Sequence, residues 1–187
     1  MIDNLFFDRR DLKRCGENVI IGITVRIRYP ELVEIGDNVI IDDFSYISTA
    51  LLIEDHVHIS AGAKIIGGRD VRVTFRSFST LAPNVTLAAG SDDYVAGIAT
   101  PLVPRSVKGD VEVADIEIGR HSIVGAGSVV LPGVIFGEGA AVGALSLVKR
   151  ALAPWTLYAG APAREIKPRD RDRIQELERQ FMTGKAI

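Results

Sequence analysis

Cysteine is almost absent from this 187-residue chain. Cys15 stands alone, so no intrachain disulfide can form and a cysteine-based metal site is excluded. Histidine is scarce too: only His56, His58 and His121 are present, and aromatic residues make up 6% of the chain. Neither sign of charge dominates. The 22 Lys and Arg against 24 Asp and Glu leave a formal net charge of −2, without the basic excess that nucleic-acid binding favours. The uncharged apolar runs are too short to cross a bilayer, which takes about 20 residues. The start, Met1 to Asp8, puts carboxylates where a secretion signal needs positive charge. A cytoplasmic protein with no nucleic-acid partner and no membrane span is expected.

Aliphatic residues and glycine are abundant. Hydrophobic residues form 47% of the chain, Ile and Val alone roughly a fifth, and Gly numbers 18. This balance favours many short strands joined by tight corners over long helices. The length suits one domain, residues 1–187, with enough chain to bury a sizeable core.

The strongest signal is a repeat of six. Ile35, Ile41, Ile47, Ile53, Ile59 and Ile65 stand at every sixth position, and so do Ile118, Val124, Val130, Phe136, Val142 and Val148. A shorter run is Phe75, Leu81, Leu87. Neither a helical nor an alternating strand period produces this pattern. Four residues after each large aliphatic comes a second column, mostly small, including Ser45, Ala63, Ser122, Ser128, Ala140 and Ser146. Each six-residue unit reads as one short strand and one corner. The large side chain points into a narrow core and the small one fits inside the bend. Stacking then pairs the strands coil on coil and satisfies their backbone groups, giving a parallel β-solenoid.

Departures from the period give the organisation. Residues 1–17 form an N-terminal segment with a short helix over about 8–15, capped by Asp8 and stopped by Gly16. Residues 18–150 carry the coils. The register breaks at Gly67-Gly68-Arg69-Asp70, and a long excursion occupies 91–115, a length that in a compact domain is usually functional. Residues 151–187 end in a helix over about 169–182, whose stripe Ile174, Leu177, Phe181 is expected to dock on the last coil.

The most specific stretch is Ile118-Gly119-Arg120-His121-Ser122-Ile123-Val124-Gly125-Ala126-Gly127-Ser128, continuing through Val142-Gly143-Ala144-Leu145-Ser146 to Ala159-Gly160-Ala161-Pro162-Ala163-Arg164. With the six-residue columns, it resembles the hexapeptide-repeat acyltransferases, and its ending is similar to the galactoside/maltose O-acetyltransferase group and bacterial surface-polysaccharide sugar acetyltransferases. The resemblance covers about residues 17–168. It implies an all-β, left-handed parallel β-helix with three hexads per coil, assembled as a homotrimer. It also implies acetyl transfer from acetyl-CoA to a hydroxyl or amino group of a sugar or sugar nucleotide, with no metal. Two other readings stay open: a non-catalytic assembly solenoid and a metal-dependent hydratase of the carbonic anhydrase type.

Acyl transfer needs a base to take the acceptor's proton, and an imidazole does this near neutral pH. The resemblance implies a His after the strand at Val85–Ala88, but the matching position carries Asp92. Either the base has moved or the chain is inactive. His58 is the replacement candidate, on an outward strand position beside the ladder residue Ile59, with Asp92 or Asp93 orienting it or binding sugar hydroxyls. His56 and His121 fall at corners and read as surface polar residues. For the cofactor, the resemblance implies backbone contacts at Ala126 and Ala144, and phosphate contacts from Lys149, Arg150, Arg164 and Lys167.

Overall fold

The structure is a computed structural model that describes residues 4–184. The first three residues of the N-terminal segment and the last three of the C-terminal segment lie outside the described residues. Strands two to three residues long succeed one another at sharp corners, and each pairs in parallel with the strand one coil away. Three faces result. On the first, Cys15, Ile35, Ile53, Phe75 and Ile118 stand in register, and Phe136 and Leu152 continue the line. The second stacks Ile21, Ile41, Ile59, Leu81, Val124, Val142 and Tyr158. The third stacks Ile27, Ile47, Ile65, Leu87, Val130 and Val148. The two runs of six from the sequence are thus one continuous core seen face after face. All twelve side chains are at most 3% exposed. Each contributes roughly 1.5–3 kcal/mol through burial.

The serines of the small column turn inward at the corners and find carbonyls there. Ser122 Oγ donates to Gly137 (3.2 Å), and Ser128 Oγ and Ser146 Oγ both donate to Gly143 (3.1 and 2.8 Å). Two long strands, Tyr46–Ile53 and Lys64–Phe75, run round one corner and join the first and third faces into one sheet. The second face continues into an antiparallel hairpin, Thr156–Ala159 with Arg164–Pro168. The coil is the left-handed β-helix that the resemblance implied.

All extra residues leave at one corner, between the third and first faces. A regular coil advances by 18 residues, as from Val33 to Leu51. Leu51 pairs with Val73, 22 residues on, because Gly67–Asp70 bulge out there as expected. Val73 pairs with Ile116, 43 residues on, because the excursion lies between them. That excursion is not structureless. Gly90–Ser91 pairs antiparallel with Glu112–Val113 at its base, and a 3-10 turn at Arg105–Val107 sits near its far end.

Both helical expectations need revision in detail. The N-terminal helix is one 3-10 turn, Arg9–Asp11, closed by a capping box between Asp8 and Asp11. Arg14–Cys15 already forms the first strand, so Gly16 is a corner of the β-helix and stops no helix. The terminal helix, α1, is Arg171–Met182 with Asp170 as its cap. It does not dock on the last coil alone but lies along the corner between the first and second faces. Arg171 sits over Trp155 at one end, and Phe181 meets His56 and Phe78 at the other. The lengths agree: twelve helical residues span about 18 Å, and the four coil spacings from Trp155 to His56 span about 19 Å.

That corner is a column of residues in the left-handed region: Asn18, Asn38, His56, Phe78, His121 and Trp155, with φ from 52° to 61°. Gly139 fills the one place where a Cβ would lie 2.3 Å from the Trp155 ring. The strained backbone is offset by side-chain stacking. His56 stacks on Phe78 at 4.8 Å, and Phe78 on His121 at 5.3 Å. His56 and His121 do occupy corners, but His121 is not a surface residue. It is 9% exposed, with Nε2 lying 2.7 Å from Glu178 of α1.

Candidate active site

His58 projects outward from the second face on strand His58–Ile59 and is half-exposed. Its strand pairs with Ile40–Ile41 below, so Asp42, at the start of the next corner, lies diagonally beneath it. Nε2 of His58 is 2.8 Å from Oδ2 of Asp42. A carboxylate on one ring nitrogen fixes the imidazole's orientation and tautomer and leaves the other nitrogen to meet a proton. The partner is Asp42, not Asp92 or Asp93, whose side chains bond elsewhere among the described residues. The signal for Asp42 was in the sequence: it stands two residues past the position one coil before His58.

The two loop aspartates are engaged locally. Asp93 accepts N–H bonds from Val95, Ala96 and Asp110 at 2.8, 3.1 and 3.0 Å, which hold its carboxyl below the usual range. Asp92 pairs with Lys108 at 2.8 Å. Lys108 carries no signal of this role in the sequence.

Above His58, the corner between the second and third faces continues through Ala82, Gly125 and Gly143 to Ala126 and Ala144. A Cβ on Gly125 would lie 2.4 Å from the amide nitrogen of Ala144, so only glycine lets these coils stack so closely. Leu145 N–H donates to Ala126 C=O at 2.9 Å and locks the pair together. The amides of Ala126 and Ala144 make no bond among the described residues, and Ala144 is exposed. These two amides lie two and three coils from His58, which is about 10–15 Å along the axis.

At the C-terminal end of the stack, Lys149, Arg150 and Arg164 line one pocket of about 320 Å³ with Tyr158, Pro162 and Glu165. Neither Lys149 nor Arg150 has an acidic partner among the described residues. Lys167 lies instead on the hairpin, paired in register with Leu157, and does not line this pocket. The structure thus gathers three of the four expected cations. The chain offers an imidazole backed by a carboxylate, two amides without a partner among the described residues, and a cationic pocket at the C-terminal end of the stack.

No family model matches the chain. It is 35% identical over 185 residues to the dTDP-4-amino-4,6-dideoxy-D-glucose acyltransferase of Escherichia coli, covering 96% of this chain and 94% of that one. It is 30% identical over 158 residues to the galactoside O-acetyltransferase of Escherichia coli K12, covering 78% and 74%. Among solved structures, it superposes on AntD, an N-acyltransferase from Bacillus cereus, with a TM-score of 0.90 and 34% identity, covering 97% of this chain and 98% of AntD. AntD has been seen in complex with dTDP-4-amino-4,6-dideoxyglucose and coenzyme A, and with dTDP and 3-hydroxybutyryl-CoA. The chain belongs to the hexapeptide-repeat sugar acyltransferases, and it is an acyltransferase rather than an assembly solenoid. Among the described residues, no helix is long and apolar enough to cross a membrane.

Proposed function

We propose that the chain transfers an acyl group, acetyl in the simplest case, from a CoA thioester to the amino group of a dTDP-linked 4-amino-4,6-dideoxy sugar. The observation that carries the reading is the His58–Asp42 pair, set below the free amides of Ala126 and Ala144 and the cations of the terminal pocket. The pantetheine arm would lie along those amides, with the CoA phosphates against Lys149, Arg150 and Arg164. That arrangement brings the thioester down toward His58. The acceptor nitrogen attacks the thioester carbon as its proton passes to Nδ1 of His58, because Nε2 is held by Asp42. The tetrahedral intermediate then collapses, the C–S bond breaks, and the CoA thiolate leaves and takes up a proton. Asp42 stabilises the imidazolium between these steps. The amine acceptor is supported by the relatives, two of which are named for amino-sugar or N-acyl transfer.

The reading includes a homotrimer, in which the 91–115 loop of one copy would reach the His58 face of another, and a cytoplasmic setting where CoA and nucleotide sugars meet. The test is thiol release from acetyl-CoA, followed with a chromogenic disulfide. Release that depends on dTDP-4-amino-4,6-dideoxy-D-glucose is expected. Release only with an unmodified hydroxyl sugar would move the reaction to O-acetyl transfer, and no release with either would overturn the proposal. Sedimentation equilibrium at micromolar concentration checks the trimer.

A further inference from the structure

Two adjacent aspartates in the extruded loop do different work. Asp93 spends its carboxylate on three amides from both limbs of the loop, Val95 and Ala96 on one side and Asp110 on the other. It is a structural tie: a Cβ on Gly109 would fall 2.2 Å from its Oδ2. Asp92 makes a single side-chain contact, with Lys108 Nζ at 2.8 Å from Oδ1. Its Oδ2 meets no donor among the described residues.

Lys108 is held more firmly than a surface lysine. Its side chain is 18% exposed, half the 36% of Asp92. Its N–H donates to Arg105 C=O at 3.1 Å. Its own carbonyl packs so tightly on Gly97 that a Cβ there would come within 1.9 Å. Backbone contacts on both limbs thus place the lysine, and the lysine in turn places Asp92. A carboxylate held by one oxygen offers the other in a fixed direction, whereas a free one must give up rotamer freedom each time a ligand binds. Lys108 also offsets negative charge where Asp92, Asp93 and Asp110 meet, with Arg105 the other cation of that limb. An acceptor that carries a diphosphate would otherwise be repelled there.

We infer that Lys108 is a positioning residue for acyl transfer: it engages Oδ1 of Asp92 so that Oδ2 is presented to the amino or hydroxyl donor of the acceptor sugar. This rests on Asp92 being an acceptor contact, as the sequence suggested. Loop architecture would survive its loss, because Asp93 holds the loop independently.

The test uses the full chain with acetyl-CoA and dTDP-4-amino-4,6-dideoxy-D-glucose. Lys108→Met should lower kcat/KM for the acceptor about 10- to 100-fold while leaving the KM for acetyl-CoA within about twofold. Lys108→Arg, which keeps the cation, should recover most of the activity. Chymotryptic cleavage of the loop at Tyr94 should keep the wild-type rate in Lys108→Met. The double variant Asp92→Lys with Lys108→Asp restores the ion pair but presents an ammonium to the acceptor, so it should stay impaired. Recovery of activity in that swap would make Lys108 a loop strut only and overturn the inference, as would wild-type acceptor kinetics in Lys108→Met. Asp92→Asn separates the two levels. If it is impaired while Lys108→Met is normal, the role of Lys108 fails alone. If it is normal, the reading of Asp92 as an acceptor contact fails with it.

Discussion

Nε2 of His121 lies 2.7 Å from Oε2 of Glu178, and this contact fastens α1 to the corner of the fifth coil across 57 residues of sequence. Arg120 engages the other oxygen of the same carboxylate, and Arg169 donates to the carbonyls of His121 and Gly139 at 2.9 and 2.6 Å. The apolar stripe of α1 supplies area, while Glu178 supplies register along the stack.

Acid should loosen this attachment. Burial raises the Glu178 carboxyl, but the hydrogen bonds from Arg120 and His121 outweigh it, and the net direction is down. A carboxyl depressed in the folded state stabilises the fold above its unfolded value, about 4.3, and that contribution fades as pH falls through the folded value. Glu178→Ala should cost about 2 kcal/mol at pH 7, lowering the Tm by about 5 °C. The wild-type advantage over this variant should shrink in melts at pH 3. An advantage undiminished by acid would remove the ion pair from the account.

The buried serines make a sharper comparison. Ser128 donates to Gly143 C=O and accepts from Ser146 N–H at 3.1 Å, so both of its roles are used. Ser79 is fully buried in the equivalent small column, but its Oγ has no partner among the described residues. Removing a satisfied buried hydroxyl strands its partners, whereas removing an unsatisfied one relieves a desolvation cost. Ser128→Ala should lose about 1–2 kcal/mol in urea unfolding. Ser79→Ala should be neutral or more stable. Equal losses in both would mean that Ser79 finds a partner in solution.

The six-residue ladder made the core legible because an inward side chain at every coil obeys one rule: large, aliphatic, buried. Ile35 to Ile65 could be read directly. The left-handed corners were harder. Gly was the expected solution to a bend, yet His56, Phe78, His121 and Trp155 take that conformation. Their stacking is visible only once the coil length between them is known, and that length varies from 16 to 43 residues. The same variation hid the site. Asp42 beneath His58 follows from a regular coil and could have been found. Lys108 beside Asp92 depends on how the excursion folds back, and no period describes that. The extent of the N-terminal helix failed for a simpler reason: Asp8 caps a helix start, but the chain is drawn into the first coil within one turn.

The cations of the terminal pocket should act on binding. Lys149 and Arg150 sit at the end of the last regular coil, far from His58, and Arg164 faces them across the pocket. Contacts with the CoA phosphates form equally in the ground and transition states, so their loss raises KM without lowering kcat. Lys149→Ala with Arg150→Ala should raise the KM for acetyl-CoA by about 100-fold or more, as expected for two charge-assisted contacts of about 1.5–3 kcal/mol each. Adding Arg164→Ala should raise it further, while Lys167→Ala, outside the pocket, should change it little. An unchanged KM in the double variant would place the phosphates elsewhere.

The base assignment is decided by His58 and Asp42 together. If the imidazole takes the acceptor's proton, His58→Ala should lower kcat by roughly 10²–10⁴ with the KM for acetyl-CoA nearly unchanged. Asp42→Asn keeps the size of the partner but removes the charge that stabilises the imidazolium. It should therefore lower kcat less than loss of the imidazole, and more than His56→Ala, which touches only the aromatic column and α1. The order of the three rates is the diagnostic feature, because a purely structural role for the pair would give equal effects from either partner. Their contact is 2.8 Å and each side chain is about two-fifths exposed, so neither substitution leaves a buried charge behind, and both variants should melt close to wild type. A His58→Ala enzyme with full activity on its true acceptor would remove the imidazole from the mechanism. The acceptor's proton would then have to leave by way of the loop carboxylates, with Asp92 as the first to examine.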